Sequence, residues 1–276
     1  MKEIIEHGEE INVETLKNIQ MDILAAIDEF CHNNNIKYSM GCGTMLGAIR
    51  HKGYIPWDDD IDIYMLREDY NNLMHLFPEV YKERYCIKSL ERNSLWDFVF
   101  AKAYDNRTIT FEAANYNELY GVNIDIFPID DVPNDEIQWL RYNKKRRRIQ
   151  MDLYGLRRNI PFGLRPRDFA RWIYYKTISM RYTRRQLAEY VDSFCQMWNK
   201  KGYNYVFECS SGFSQKNRFR KEIFNSLIKY PFEDREFMGF ENYDEYLRNG
   251  FGDYMQLPPK EKRIAHHHFK TYWKEL

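Results

Sequence analysis

From Asn12 onward, Leu16, Ile19, Ile23, Leu24, Ile27, Phe30 and Cys31 recur at the three-and-four spacing that lines one side of a helix, with Asn12 where an N-cap belongs. The Asn33-Asn34-Asn35 turn then leads to Ile36–Met40, a short strand broken by Gly41 and Gly43. Thr44 is placed to cap a short helix from Met45 to Ile49, and His51 to Trp57 reads as a loop. Asp60 to Met65 alternates polar and apolar as a half-buried strand does, and Tyr70, Leu73, Met74 and Phe77 mark a helix that Pro78 should stop. Further strands are expected at Tyr85–Leu90, Phe98–Tyr104, Thr108–Glu112 and Val122–Phe127. Interleaved strands and helices predict an α/β fold, a mixed sheet with flanking helices. Past Pro133 the pattern turns to long helical stretches rich in aromatics and bases. Two units follow from that shift: a core over 1–135 and a mainly helical lobe over 136–276 packed on it.

Composition narrows the classes. In 276 residues, 44% are apolar and 30% charged, and 41 Lys and Arg balance 41 Asp and Glu. With a mean hydropathy of -0.71, this is a globular chain with no global field to attract nucleic acid. No apolar run is long enough to span a bilayer, and the first residues lack the apolar core of an export signal. Five scattered cysteines without a C-x-x-C pair predict a reduced, cytoplasmic protein without structural zinc.

The acids carry the chemistry. In Asp58-Asp59-Asp60-Ile61-Asp62-Ile63, strand residues two apart share a face, so Asp60 and Asp62 converge. Asn123-Ile124-Asp125-Ile126 repeats the pattern, placing another acid between buried isoleucines. An unpaired carboxylate in an apolar strand is costly, and two such strands suggest a shared Mg²⁺ or Mn²⁺ site. A solvated turn at Asp58–Asp60, with Asp125 paired to an arginine, is the other reading.

Gly41-Cys42-Gly43-Thr44 lies between strand and helix, where free N–H groups suit a phosphate, although such turns also carry glycine for geometry alone. Arg50, His51 and Lys52 follow, cations of the kind a bound diphosphate needs, Arg50 foremost. Lys102, between Ala101 and Ala103 among aromatics, must either snorkel to solvent or meet a fixed anion; the anion is the reading taken here.

The run Gly43-Thr44-Met45-Leu46-Gly47-Ala48-Ile49-Arg50-His51-Lys52-Gly53-Tyr54-Ile55-Pro56-Trp57-Asp58-Asp59-Asp60-Ile61-Asp62 resembles the signature of the LicD family. Support comes from Ile124-Asp125-Ile126-Phe127-Pro128, Tyr243-Asp244-Glu245-Tyr246-Leu247, Gly252-Asp253-Tyr254-Met255 and Leu257-Pro258-Pro259 with Arg263. That family is similar to fukutin-type proteins and to nucleotidyltransferase folds. The resemblance implies a nucleotidyltransferase-like core and transfer of phosphocholine or another phospho-alcohol from a CDP-linked donor, such as CDP-choline, to a glycan or glycolipid acceptor. It puts Gly43 and Thr44 at the phosphate turn, Asp58, Asp60 and Asp62 at the acidic motif, Asp125 at the third carboxylate and Arg263 among the substrate contacts. Expected catalytic residues are Asp60, Asp62 and Asp125, with Asp58 as a further metal ligand; the helical lobe would help bind the acceptor. A nucleotide-sugar glycosyltransferase with an Asp-x-Asp pair and an inactive nucleotide- or partner-binding protein are the alternatives.

Three features stand apart. Between Arg141 and Arg185 bases greatly outnumber acids and are interleaved with Tyr154, Phe162, Trp172, Tyr174 and Tyr175. That pattern fits either contact with an anionic inner membrane face or solvated helix faces over an aromatic core. Aromatics reach 17% of the chain, a suggestive match to a quaternary ammonium such as choline. His266-His267-His268 is read as genuine sequence with a structural or phosphate-contact role.

Overall fold

The computed structural model describes residues 7–112, 119–157, 165–211, 218–264 and 269–275. In chain order the elements are β1 (His7–Glu10), α1 (Val13–Asn33), β2 (Ser39–Met40), α2 (Cys42–Arg50), β3 (Asp62–Leu66), α3 (Arg67–Tyr81), β4 (Tyr85–Lys88), β5 (Ala101–Asp105), β6 (Thr108–Glu112) and β7 (Asn123–Val132). They continue with α4 (Glu136–Arg157), α5 (Pro166–Arg181), α6 (Arg184–Cys195), β8 (Tyr205–Glu208), β9 (Phe219–Arg220), β10 (Leu227–Phe232), β11 (Arg235–Phe240), α7 (Tyr243–Phe251) and β12 (Phe269–Lys274).

The centre is a mixed sheet in the order β2-β3-β7-β5-β4, with β8 also on β7 and β9 on β8. Strands β3 and β7 are parallel, and the remaining pairs are antiparallel. Strand β7 is long enough to hold β5 along Asn123–Ile126 and β8 along Ile129–Val132. Its apolar run past Asp125 is wholly buried, as expected of a strand covered on both faces. Separate sheets join β1, β12 and β6, and pair β10 with β11. The α/β class stands as expected, and no helix among the described residues is long and apolar enough to cross a membrane. All five cysteines are free thiols.

Asn12 caps α1 as its position predicted, its Oδ1 accepting from the Thr15 amide at 2.8 Å. The buried side of α1 carries Leu16, Ile19, Ile23, Leu24, Ile27 and Phe30. Other boundaries differ from the sequence reading. The expected Ile36–Met40 strand is only Ser39–Met40, and α2 begins at Cys42 with Gly41 as its N-cap, not at Thr44. Thr44 sits inside the first turn of α2, and its Oγ1 accepts from the Asp62 amide instead. Helix α3 runs through Pro78 to Tyr81. A proline removes the N–H that would serve the carbonyl four residues back. Here that carbonyl is Met74 O, and Arg92 donates to it at 3.1 Å.

The C-terminal half is almost wholly helical only as far as Cys195 and the short 3₁₀ turn that follows; beyond it α7 lies among strands. Tyr205 to Lys274 returns five strands, of which β8 and β9 complete the central sheet. Helices α4–α6 fill the first part of 136–276, and the remainder mixes α7 with short, irregularly patterned strands such as β9, which carry little periodic signal. Helices α4, α5 and α6 pack together. Gly155 lets them close: a Cβ there would overlap the Tyr175 ring. Thr183 and Gln186 form a reciprocal capping box at the start of α6.

Arginines that are buried or partly buried tie this helical group to the sheet and its loops. Arg67, at the start of α3, grips Asp130 of β7 with Nε to Oδ1 at 2.8 Å and Nη2 to Oδ2 at 2.6 Å, and reaches Asp192 of α6 at 3.0 Å. Arg185 of α6 donates to the carbonyls of Leu90, Asn93 and Trp96. Arg146 of α4 donates to those of Cys209 and Ser211.

Candidate active site

Side chains at paired positions of neighbouring strands share a face of the sheet. Asp62 of β3 is the register partner of Asp125 of β7, and Asp125 is the partner of Lys102 of β5. Two carboxylates and an ammonium therefore form one row across three strands. The Lys102 Nζ donates to Asp125 Oδ1 at 2.6 Å, and Asn123 Nδ2 donates to the same oxygen at 2.7 Å. Neither bond uses Oδ2. The rings of Phe98, Phe100 and Tyr120 surround the Lys102 ammonium at 5.1–5.7 Å from their centroids, a contact that offsets part of its desolvation. Lys102 thus meets a fixed anion, Asp125, and the partner of Asp125 is this lysine in place of the arginine of the alternative reading.

Asp60 lies outside β3, so the alternating-strand argument that placed it beside Asp62 does not apply; β3 starts at Asp62. The two acids are nonetheless close enough to interact. Burial, and then the charges of Asp60, Asp125 and Asp58, push the Asp62 carboxyl well above the usual carboxylate range. Desolvation and like-charge crowding act together there. Asp58 is held from the other direction: a Cβ on Gly43 would lie 2.7 Å from Asp58 Oδ2. The first turn of α2 and the acidic loop are therefore in close approach, and only glycine at 43 leaves room for the carboxylate.

Backbone bonds fix the turn to the acids. The Gly41 amide donates to Asp62 O at 2.9 Å, and the Asp125 amide to Ile61 O at 2.9 Å. Cys42 takes a positive φ of 42°, uncommon outside glycine. Its amide donates to Tyr246 Oη at 2.8 Å, and its Sγ lies 2.9 Å from Tyr64 Oη. Burial, and then the Asp62 charge, push the Cys42 thiol up, away from thiolate.

Cations from the end of α2 and from the C-terminal part of the chain meet near Trp57. Arg50 Nε donates to His51 Nε2 at 2.9 Å, and its Nη1 to Tyr254 O at 2.6 Å. Accepting at Nε2 requires the neutral ring with its proton on Nδ1. Burial, and then the Arg50 charge, lower the His51 pKa in the same sense. Arg263 lies over the Trp57 ring at 5.5 Å, donates to Pro258 O at 2.8 Å, and is near enough to oppose the Arg50 charge. Arg50, His51 and Arg263 form one basic patch, joined to the acids through Trp57-Asp58. His266–His268 lie outside the described residues.

Several supporting residues were not singled out from sequence. Gln20, buried on the apolar face of α1, donates to Asp59 O at 3.0 Å and Asn123 O at 3.1 Å, and so ties the acidic loop to the start of β7. A polar residue inside an apolar helical stripe was its signal. Glu233, in the turn between β10 and β11, accepts from the Tyr54 amide at 2.9 Å and fixes the loop before the acids. Buried Glu208 accepts from the amides and hydroxyls of Ser210 and Ser211. Nothing in the local pattern marked either glutamate.

Hard carboxylate oxygens suit Mg²⁺ or Mn²⁺, and the crowding at Asp62 is a charge imbalance that a cation would relieve. The side chains are not a finished cage: among the described residues no three His, Cys, Asp or Glu side chains group tightly enough to hold a metal. Asp62 and Asp125, register partners on adjacent strands, are the carboxylates that could hold such an ion, with Asp58 and Asp60 near enough to Asp62 to act on its charge.

Residues 35–165 match the family model described as LicD/FKTN/FKRP, nucleotidyltransferase domain. The chain is 33% identical to the lipopolysaccharide cholinephosphotransferase LicD of Haemophilus influenzae, over 94% of this chain and 98% of that protein. The chain belongs to the LicD family. LicD relatedness extends in part to the human ribitol 5-phosphate transferase FKRP, 30% identical over 34% of this chain and 17% of that protein. A protein of Rickettsia prowazekii, RP689, is 45% identical over 23% of this chain and 24% of its own length. The family match contains the glycine turn, the acidic loop, Lys102 and Asp125, and thus the whole row of charged side chains.

Proposed function

We propose that this LicD-family chain transfers a phospho-alcohol, phosphocholine first among candidates, from a CDP-linked donor to a hydroxyl of a cell-surface glycan or its lipid-linked precursor. The observation that carries the proposal is the Asp62–Asp125–Lys102 row set against the start of α2. The names of the Haemophilus influenzae and human relatives, both transferases of phosphate-linked alcohols, support the class.

Asp62 and Asp125 would hold the divalent cation, Mg²⁺ or Mn²⁺, with Asp60 and Asp58 beside them. Bound there, the ion would neutralise diphosphate charge and acidify the attacking hydroxyl. Arg50 and Arg263 supply positive charge for the donor's phosphates, and the neutral His51 can donate from Nδ1. Lys102 and Asn123 hold the Asp125 carboxylate by Oδ1, which keeps Oδ2 oriented for substrate or proton. The acceptor hydroxyl attacks the phosphorus that bears the alcohol, and its proton passes to Asp125. The bond from that phosphorus to the bridging oxygen breaks, CMP leaves with the bridging oxygen, and the phosphate stays with the alcohol on the acceptor.

The test incubates purified protein with Mg²⁺, a panel of CDP-alcohols and crude glycan or lipid-linked acceptor, and measures CMP alongside Asp62→Ala. CMP released from one donor, with phosphorus in the product, and lost in the variant is the expected result. Nucleoside diphosphate released from nucleotide sugars, with no phosphate transferred, would replace this reading with glycosyl transfer.

A further inference from the structure

Residues 141–185 contain fifteen Lys and Arg but only two acids, Asp152 and Asp168, in a chain whose total charge is zero. The molecule is therefore strongly polarised, with its acidic excess entirely outside this segment. Four of those bases are turned inward: Arg146, Arg157, Arg184 and Arg185 contact buried carbonyls, Asp97 or both. The bases at 141, 144, 145, 147, 148, 165, 167, 171, 176 and 181 are exposed.

Helix α5 adds an apolar feature to this charge. None of its residues is buried, and Phe169, Ile173 and Met180 are 43%, 44% and 80% exposed. At 100° per residue these three fall within one narrow stripe, with Lys176 along its edge. A groove of about 630 Å³ runs beside the stripe, lined by Ile173, Tyr174, Tyr182 and Tyr190 together with Arg148 and Arg181. Apolar residues at the centre, tyrosines and long bases around them, is the arrangement that seats a helix in the headgroup region of a bilayer.

We propose that α4 and α5 form a docking face for an anionic phospholipid surface, with α5 lying along the interface and Phe169, Ile173 and Met180 entering the headgroup boundary. A second copy of this chain is disfavoured as occupant, because two such faces would bring like charges together. A soluble polyanion would satisfy the bases and leave the apolar stripe in water. The proposal does not depend on which group the enzyme transfers; if the acceptor is lipid-linked, docking brings the enzyme to the membrane that holds it.

The experiment is flotation of the full-length protein with phosphatidylcholine vesicles and with vesicles that also contain phosphatidylglycerol, at low and high salt. Binding to the anionic vesicles, reduced by salt and weak on phosphatidylcholine alone, is expected. Lys176→Gln and Arg181→Gln should each lower the partition about five-fold. Ile173→Ser with Met180→Ser should lower it about ten-fold or more without changing the thermal midpoint, since both side chains are already exposed. Equal binding to both vesicle types, or none to either, would overturn the proposal even without the variants. So would serine variants that bind anionic vesicles like the parent, which would reassign the face to soluble polyanions; retention on immobilised heparin would then be the positive finding. CMP release by the same preparations separates loss of docking from loss of the transferase itself.

Discussion

Every residue of β7 beyond Asp125 is buried, whereas α5 has no buried residue at all, although both are rich in apolar and aromatic side chains. The sheet strand can bury its charge only by pairing it: Asp130 is enclosed by Arg67 and Asn199, and Asp125 is held by Lys102 and Asn123. The helix meets no such constraint, and its bases extend to solvent. Acids needed in fixed positions are found where packing is dense, and bases that serve as a diffuse field are found where packing is thin. A long-range field tolerates mobile side chains, whereas a reacting group does not.

The largest expected effect tests the strand side of that contrast. Asp125→Asn keeps the shape of the side chain but removes the charge that Lys102 meets and a divalent cation would need. CMP release should fall about a thousandfold, while far-ultraviolet circular dichroism stays unchanged. Removal of divalent cations by a chelator should reduce the parent to the level of the variant. Activity that survives both treatments would rule out the carboxylate pair as the reactive centre.

Next in size is the join between the two regions. Arg67→Met leaves Asp130 and Asp192 without their shared cation in a buried setting, a change that costs about 3–5 kcal/mol. Urea unfolding should show the loss as a lower midpoint with an unchanged slope if sheet and helices unfold together. A separate early transition would mean that α4–α6 detach first, and that the cooperative unit is the sheet alone.

Gly43→Ala is a smaller and more selective probe. The added methyl reaches the far end of a short side chain, Asp58 Oδ2, so the fold should yield by turning that carboxylate away at a cost within about 0.5 kcal/mol. CMP release should drop roughly ten- to a hundredfold, because a misplaced group at the reacting centre is costly. Loss of stability with activity intact would make Gly43 a packing glycine and free the acidic loop of its tie to α2.

These sites differ in how legible they are from sequence. The apolar stripe of α1, its Asn12 cap, and the isoleucines flanking Asp62 and Asp125 all express a local period, and each was readable. The Asp62–Asp125 register and the Lys102 bond depend on which strands become neighbours, which no local period encodes. Pro78 misled because its helix break is cancelled by Arg92, fourteen residues further on. Thr44 misled because a hydroxyl suited to capping found a better donor in the Asp62 amide. Strands β8 and β12 went unread because partners far away in the chain, β7 for one and β1 and β6 for the other, define them.

The smallest effect concerns acid, and it separates the two regions by chemistry instead of packing. Asp105, at the end of β5, is buried, which alone would raise its pKa. Bonds from the Arg107 amide and guanidinium, and from Arg84, outweigh burial and hold the carboxyl below the usual carboxylate range. A carboxylate with a lowered pKa in the folded state binds its proton later than in the unfolded chain, so the unfolded chain takes up protons first as pH falls. The stabilisation is therefore complete above the ordinary Asp value near 3.9, and is lost as pH falls below it through the folded-state value. Both arginines are about half exposed, so solvent screens part of the gain. Asp105→Asn should cost about 1–2 kcal/mol at neutral pH, and the difference from the parent should shrink as the pH is lowered past 4. Lys and Arg do not titrate in that range, so the charge of α4 and α5 should persist while the sheet weakens. Thermal unfolding of both proteins across that interval measures the difference directly; a gap that stays constant with pH would mean that Asp105 acts through its shape and not its charge.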